Sequence, residues 1–455
     1  MTLTPLAAST PSESRAEQLR TRLKQRTHDD PNFWAFNELG SRSGNHALFQ
    51  YPAMMVPELQ GALLDDVLEV QTDAKLVYDP FAGSGTVMLE SLYRGLDFHG
   101  SDINPLAILL CQVKAAPPSQ DDALAAVQII LDLAKTDSEV EIPEFPGIDK
   151  WFKPEIKAGL ARLREAIKKQ ADLDTRRFLW ICLAETIRLV SNSRISTFKL
   201  HTYTAEDIAK RVTDAIKVFE GVATLNAARV AKHWTRIEQA PRQGGTAQAL
   251  LLPGAVSNPW TAPRQADILM TSPPYGDNKT TVPYGQHSYL PLRWLDANDI
   301  PGGFDPGLLD STSRIDTMSL GGSLKMADVA REGLEQDSPA LADFLLKIQD
   351  VPALRKKVLS FCRDYQNSLT LVSARLKPGA FCFFTLGERR VGKQVFPLVE
   401  ITKQLLEAEG HDVVTVIERV LPAGRKRMAS KNSEGATMAT EWILVTEARK
   451  DAVSS

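Results

Sequence analysis

Residues 79–86 read Asp79-Pro80-Phe81-Ala82-Gly83-Ser84-Gly85-Thr86, directly after the apolar run KLVY that closes at Tyr78. That order predicts a strand, a glycine-rich turn, and a helix over about 87–93. A second strand, DFHGSDI, follows and closes at Asp102. Pro105 then sits where a helix tolerates proline, in its first turn. Strand, tight turn, helix, strand, helix is how a doubly wound parallel sheet begins. The two glycines let the backbone turn sharply and approach a ligand closely. The pattern is neither the GxGxxG dinucleotide fingerprint nor a phosphate loop, since no GK[ST] follows. Asp79 would repel a phosphate and suits a cationic ligand, such as one with an amino-acid group. Asp102, at the end of the next strand, is placed to hold both hydroxyls of a ribose, and Asn104 follows at the edge where an adenine ring would lie. The plainer alternative is a structural turn with an N-cap aspartate; the spacing of the two acids favours the ligand.

Working outward, the chain has 455 residues, 43% of them apolar and 24% charged, ordinary values for a globular protein with a large core. Its net charge of −3 gives no global signal for nucleic acid, so any such contact must be a local basic surface. Cys111, Cys182, Cys362 and Cys382 form no CxxC pair, which predicts neither disulfides nor a metal site and fits a reducing cytoplasm. No apolar run reaches bilayer-spanning length, so no membrane partner is expected. Residues 1–30 read as a disordered tail and a polar, frayed helix. The sheet pattern covers 31–116, 241–275 and 376–450. Helical periodicity fills 117–240, and 276–375 reads as an irregular insertion and a candidate target-recognition region. The expected fold class is α/β, a doubly wound Rossmann-like sheet with a helical and a loop-rich insertion.

DPFAGSGT resembles the S-adenosylmethionine-binding motif of amino-directed DNA methyltransferases, and GSDINPLA resembles the motif that follows it in that family. HALFQYPAMMVPEL, residues 46–59, is similar to the segment those enzymes place before the glycine turn. The resemblance implies that Asp79, Phe81, Ala82, Gly83, Ser84, Gly85 and Thr86 surround the cofactor's methionine end. It further implies that Asp102 and Asn104 hold the adenosine and that Tyr51 and Pro52 line the pocket.

Residues 266–270, ADILM, form a further apolar run that stops abruptly at Thr271-Ser272-Pro273-Pro274-Tyr275. Two prolines end a strand and stiffen the loop behind it. Such a loop can hold a hydroxyl, a carbonyl and an aromatic ring in fixed geometry. That set suits methylation of an exocyclic base amino group, whose lone pair is delocalised into the ring. Acceptors at Ser272 Oγ and the Pro273 carbonyl would offset the positive charge that develops on nitrogen, and Tyr275 would stack on a base swung out of the duplex. No Pro-Cys dipeptide is present, which argues against attack at cytosine C5 by a thiolate. In the family the motif is [DNS]PP[YFW], and its serine form resembles the N4-cytosine group. The motif order here, cofactor turn before SPPY, departs from many serine-form enzymes. The acid usual near the third strand is also missing from GGTAQALLL, residues 244–252.

The resulting expectation is a DNA methyltransferase acting on N4 of cytosine in a specific sequence of double-stranded DNA, with a possible cognate restriction endonuclease. N6-adenine methylation, an RNA substrate, and a non-catalytic cofactor-binding regulator are the alternatives. Candidate DNA contacts are Lys279, the loop holding Arg425, Lys426 and Arg427, the basic stretch 150–177, and residues 191–201. His287 is expected to be structural rather than a general base.

Overall fold

The computed structural model describes residues 13–36, 40, 42–136, 139–240, 247–257, 264–276, 282–421 and 440–449. Its strands are β1 (Leu76–Asp79), β2 (Asp97–Asp102), β3 (Ala249–Pro253), β4 (Ala266–Thr271), β5 (Leu376–Gly387), β6 (Arg389–Val391), β7 (Gln394–Phe396), β8 (His411–Val420) and β9 (Thr440–Ala448). Seven of them make one sheet in the order β3-β2-β1-β4-β5-β9-β8, and β6 and β7 form a separate hairpin. The first five run parallel, while β9 lies antiparallel between β5 and β8. β1 and β4 are buried along their whole length, as strands covered by helices on both faces must be. This is a doubly wound, Rossmann-like sheet, as the sequence pattern implied.

The chain leaves β1 for β2 and β3 on one side, then returns to pair β4 against β1 on the other. Val77 is registered with Ile268 and Tyr78 with Leu269. Asp267 fixes that register: its Oδ2 accepts from the backbone N–H groups of Lys75 and Leu76 at 2.9 and 3.0 Å. The switch of direction opens a crevice at the carboxyl ends of β1 and β4, where open α/β sheets bind ligands. DPFAGSGT leaves β1 there and SPPY leaves β4 there. Two motifs far apart in sequence are therefore side by side in space.

The helices are α1 (Arg15–Asp29), α2 (Pro57–Val70), α3 (Thr86–Leu92), α4 (Pro105–Ala115), α5 (Gln120–Ala134), α6 (Ile148–Trp151), α7 (Pro154–Lys168), α8 (Leu173–Val190), α9 (Ala205–Lys210), α10 (Ala215–Val230), α11 (His233–Glu238), α12 (Tyr284–Trp294), α13 (Arg314–Met318), α14 (Arg331–Asp337), α15 (Pro339–Lys347), α16 (Pro352–Ser373) and α17 (Leu398–Ala408). One face of the sheet buries its side chains against α1, α2 and α3, and the other against α14 to α17. A third apolar cluster joins α5, α7, α8 and α10 to α4, α12 and the segment around Phe49 and Tyr51. The helical segment thus packs beside the crevice.

Two expectations are corrected. The N-terminal helix is not frayed: Ser14 and Glu17 close a full capping box, Leu19 and Leu23 are buried, and Arg26 holds the buried Asp66 at 3.1 Å. The tail expected before it lies outside the described residues. The stretch 276–375 is not irregular throughout. It contains α12 to α16, and α16 runs for 22 residues with Val358, Phe361, Tyr365 and Leu369 in the core beneath the sheet. Its apolar positions recur at helical spacing, but the glycine pairs and polar clusters before it obscured that signal.

Candidate active site

The glycine turn closes over the carboxyl end of β1. Gly83 and Gly85 adopt φ of 51° and 71°, a region open to glycine at little cost. A Cβ on Gly85 would lie 2.9 Å from Cys111 Sγ on α4, so the turn must pass that close to the helix beneath it. Lys114, also on α4 and fully buried, donates from Nζ to the Ser84 carbonyl at 2.6 Å. Burial pushes its pKa down to about 7. Ser84 Oγ and Thr86 Oγ1 lie 3.3 Å apart within the turn. Ala82 is buried, while Phe81 and Gly83 are partly exposed along the crevice.

Asp79 ends β1 with its carboxylate wholly buried. One oxygen accepts from Thr271 Oγ1 at 2.6 Å and from the Phe81 N–H at 3.0 Å. Thr271 is the last residue of β4, so this bond clips the two motif loops together. The other oxygen, Oδ2, is buried with no hydrogen-bond partner among the described residues. Burial drives the Asp79 pKa up to about 7. Asp102, at the end of β2, accepts from the Gly83 and Asn104 N–H groups, each at 2.8 Å. Burial raises it to about 6. A carboxylate has about four acceptor positions, so the partly exposed Asp102 retains acceptor capacity toward the crevice. Two carboxylates, one carrying an orphaned buried oxygen, make a cradle that fits a cationic ligand bearing hydroxyls.

Tyr51 and Pro52 are buried beside the turn. The Tyr51 ring passes within 3.8 Å of where a Gly83 Cβ would be, and it stacks on Tyr284 of α12 at 5.8 Å. Asn104 is not an open ligand group. Its amide donates to Tyr51 Oη at 3.0 Å and Ser288 Oγ at 2.7 Å, and its oxygen caps α4. It therefore braces the pocket wall, because its position as helix N-cap turns the side chain inward.

Ser272, Pro274 and Tyr275 are partly exposed and Pro273 is buried. Ser272 Oγ lies 3.3 Å from Tyr275 Oη, which donates to Glu441 Oε1 at 3.4 Å. Glu441 in turn accepts from Arg419 at 2.9 Å. Tyr284 completes the group: it stacks on Tyr51, and burial first, with Asp102 second, holds the phenols of both well above their ordinary pKa. The crevice therefore gathers Asp79, Phe81, Gly83, Asp102, Tyr51, Tyr284, Ser272 and Tyr275. Thr271, Lys114, Arg419 and Glu441 were not singled out by motif. Strand register brings Thr271, Arg419 and Glu441 to the site, and the packing of α4 under the glycine turn brings Lys114.

His287 is buried against Phe49, Tyr51 and Phe198, bonds the Gln50 carbonyl at 2.9 Å, and has its pKa pushed down to about 3 by burial. It is a neutral packing residue at physiological pH. Much of the basic stretch 150–177 is spent internally. Arg176 makes a paired contact with Asp299, Arg177 donates to the Asp299 carbonyl and Arg164 to the Trp294 carbonyl. By contrast, residues 193–202 form a short hairpin bridged between Ser193 and Thr202, seated on α12 through Leu200 N–H and Gln286. Arg194 and Lys199 project from it without an ion pair among the described residues. A small cleft beneath is lined by Arg188, Ser191, Ser193 and Thr197. Lys279, Arg425, Lys426 and Arg427 lie outside the described residues. All four cysteines are free and buried. Among the described residues no helix is long and apolar enough to cross a membrane, and no cluster of metal-ligating side chains occurs.

No family model matches the chain. It does align over 470 residues, at 28% identity, with the Type II methyltransferase M.MvaI of Kocuria varians, covering 94% of this chain and 96% of the relative. The chain is a homologue of a methyltransferase. Coverage of both chains nearly end to end means that the likeness includes the helical segment and α12 to α16 as well as the sheet.

Proposed function

We propose that the protein transfers a methyl group from S-adenosylmethionine to the N4 amino group of cytosine in double-stranded DNA. The observation that carries this reading is the juxtaposition of the two motif loops, clipped by Thr271 Oγ1 and Asp79 at 2.6 Å. It sets a cradle for a cationic cofactor directly beside a rigid Ser-Pro-Pro-Tyr edge. The Type II methyltransferase relative supports a DNA methyltransferase, with a restriction partner as a further element of that reading.

The cofactor supplies an electrophilic methyl group on a positively charged sulfur. Asp79 Oδ2 would accept from its ammonium group, and Asp102 from its ribose hydroxyls. Tyr51, Pro52, Phe81 and the turn from Ala82 to Thr86 would enclose it. Ser272 Oγ and the Pro273 carbonyl would accept from the two amino hydrogens of the base. Their partial negative charges favour a pyramidal nitrogen and offset the positive charge of the transition state. Pro273 and Pro274 hold those acceptors still, and Tyr275 gives the extruded base a stacking face. The rest of the acceleration is placement of nitrogen in line with the methyl group. The serine at position 272 favours cytosine over adenine. The hairpin 193–202 supplies phosphate contacts through Arg194 and Lys199. The interval 276–375 remains the candidate target-recognition region and 117–240 a helical addition to the catalytic sheet.

Incubation of the protein with methyl-labelled S-adenosylmethionine and duplex DNA tests the reading. Label is expected in the DNA, and Ser272→Ala is expected to slow its incorporation by about 10²-fold, the order seen on removing one preorganised transition-state partner. Label in RNA alone, or cofactor binding without any transfer, would favour the alternatives.

A further inference from the structure

The antiparallel course of β9 has a chemical consequence. The parallel strands end at the crevice, so an antiparallel strand begins there, and the second residue of β9 is Glu441. Its registered neighbours are Arg419 on β8 and Gly387 on β5. The registered glycine places no side chain beside Glu441, whose carboxylate reaches Tyr275 Oη.

This contact fixes the polarity of the hydrogen bonds at the site. An ionised carboxylate only accepts, so Tyr275 Oη donates its single hydrogen to Glu441. Tyr275 can then only accept from Ser272, so the Ser272 hydroxyl donates toward Tyr275. The Ser272 lone pairs are thereby left for an N–H donor in the crevice, which is what an amino group requires. Without Glu441, Tyr275 is free to donate to Ser272, and the Ser272 hydrogen is then free to turn toward the amino group.

We infer that Glu441 is a positioning residue that holds Ser272 as a hydrogen-bond acceptor and terminates the route by which the methylated amino group loses its proton. The inference rests on the amino-methylation reading above. Methyl transfer leaves nitrogen with one proton too many. That N–H bond breaks as an O–H bond forms at Ser272. The Ser272 hydrogen passes to Tyr275 Oη, and the Tyr275 hydrogen to Glu441 Oε1. The base is left neutral and methylated, Ser272 and Tyr275 are unchanged, and Glu441 is neutral until it releases the proton to solvent. No other reactant is needed. Burial raises the Glu441 pKa against the opposing effects of Arg419 and Tyr275, which suits a proton acceptor. Among the described residues, the charged or titratable groups facing it are Arg419 from β8 and Tyr275 from the loop after β4, while β5 presents only Gly387. The distances of 3.3 and 3.4 Å are those of a relay without substrate, and such bonds tighten in the reactive complex.

Single-turnover methylation of duplex DNA by the full-length protein tests this, with Glu441→Gln as the main variant. Gln keeps the size and the acceptor oxygen but takes no proton. The expected result is a fall of about 10²-fold in rate, loss of the acid limb of the pH–rate profile, and dissociation constants for cofactor and DNA within about twofold of wild type. Glu441→Asp, which keeps the carboxylate, is expected to recover part of the rate and the acid limb. Wild-type rate and pH profile in Glu441→Gln would overturn the inference. So would an effect confined to DNA affinity with an unchanged rate at saturation. If the wild-type protein itself methylates no amino group in nucleic acid, the amino-methylation reading fails first, and the failure is visible without any variant.

Discussion

Asp79 and Asp102 are acids in the site proposed for a cationic cofactor, and their protonation in the free protein has a measurable consequence. Asp79 is raised from 3.8 to about 7. Between those values the folded protein holds a proton that the unfolded chain has released. The free protein therefore loses stability from this group as pH rises through that window. Ligand binding has the opposite sign, because an ammonium ion requires the carboxylate. Affinity for S-adenosylhomocysteine, which carries the same ammonium, is expected to rise about tenfold from pH 6 to pH 8. Calorimetry at the two pH values measures it, and Asp79→Asn should flatten the dependence. Equal affinities at both would show that Asp79 does not face the ligand's charge. Asp79, Asp102 and Ser272 to Tyr275 were legible in the sequence because each belongs to a short contiguous motif. Glu441 and Lys114 were not. Glu441 owes its place to an antiparallel register, and Lys114 to a helix face pressed under the turn from Gly83 to Gly85.

At the scale of elements, the β1 turn, α3, β2, α4 and β4 lie close to where apolar pattern and glycine placed them, and β5, α17, β8 and β9 fall within the interval 376–450 that reads as sheet. Their sequences are short, strongly patterned and bounded by clear breakers. α1 and α16 were harder to read. Their faces are mixed, and packing rather than composition decides that they are ordered. The stretch 150–177 shows the same limit: Arg176 and Arg177 look like a nucleic-acid face, yet they clamp the turn at Asp299, which also accepts from Trp180 Nε1 at 2.7 Å. Asp299→Ala strands the Arg176 guanidinium and Trp180 Nε1, while Arg177 keeps the backbone carbonyl, and is expected to destabilise the protein by about 2 kcal/mol, read as a lower thermal midpoint with unchanged salt dependence of DNA binding. A change in salt dependence with no loss of stability would return those arginines to the DNA face.

For the whole molecule, a net charge of −3 means that the proposed DNA contact must rest on a local basic surface. The hairpin 193–202 stands on α12, next to the crevice, and residues 186–204 contain no acid. Replacing both Arg194 and Lys199 by alanine should lower the slope of log affinity against log salt by about 1 to 2, at roughly 0.9 per lost phosphate contact. Cofactor affinity should not change. An unaltered slope would move the phosphate contacts elsewhere. The central claim is that the two clipped loops form one amino-methylating site selective for cytosine. Expression in a host without DNA methylation of its own, followed by digestion of the DNA and mass spectrometry of the nucleosides, tests it most directly. N4-methylcytosine in cells making the protein, and its absence in cells making Ser272→Ala, is the expected result. N6-methyladenine in its place would contradict the cytosine assignment, and no methylated amino group of either kind would contradict the site itself.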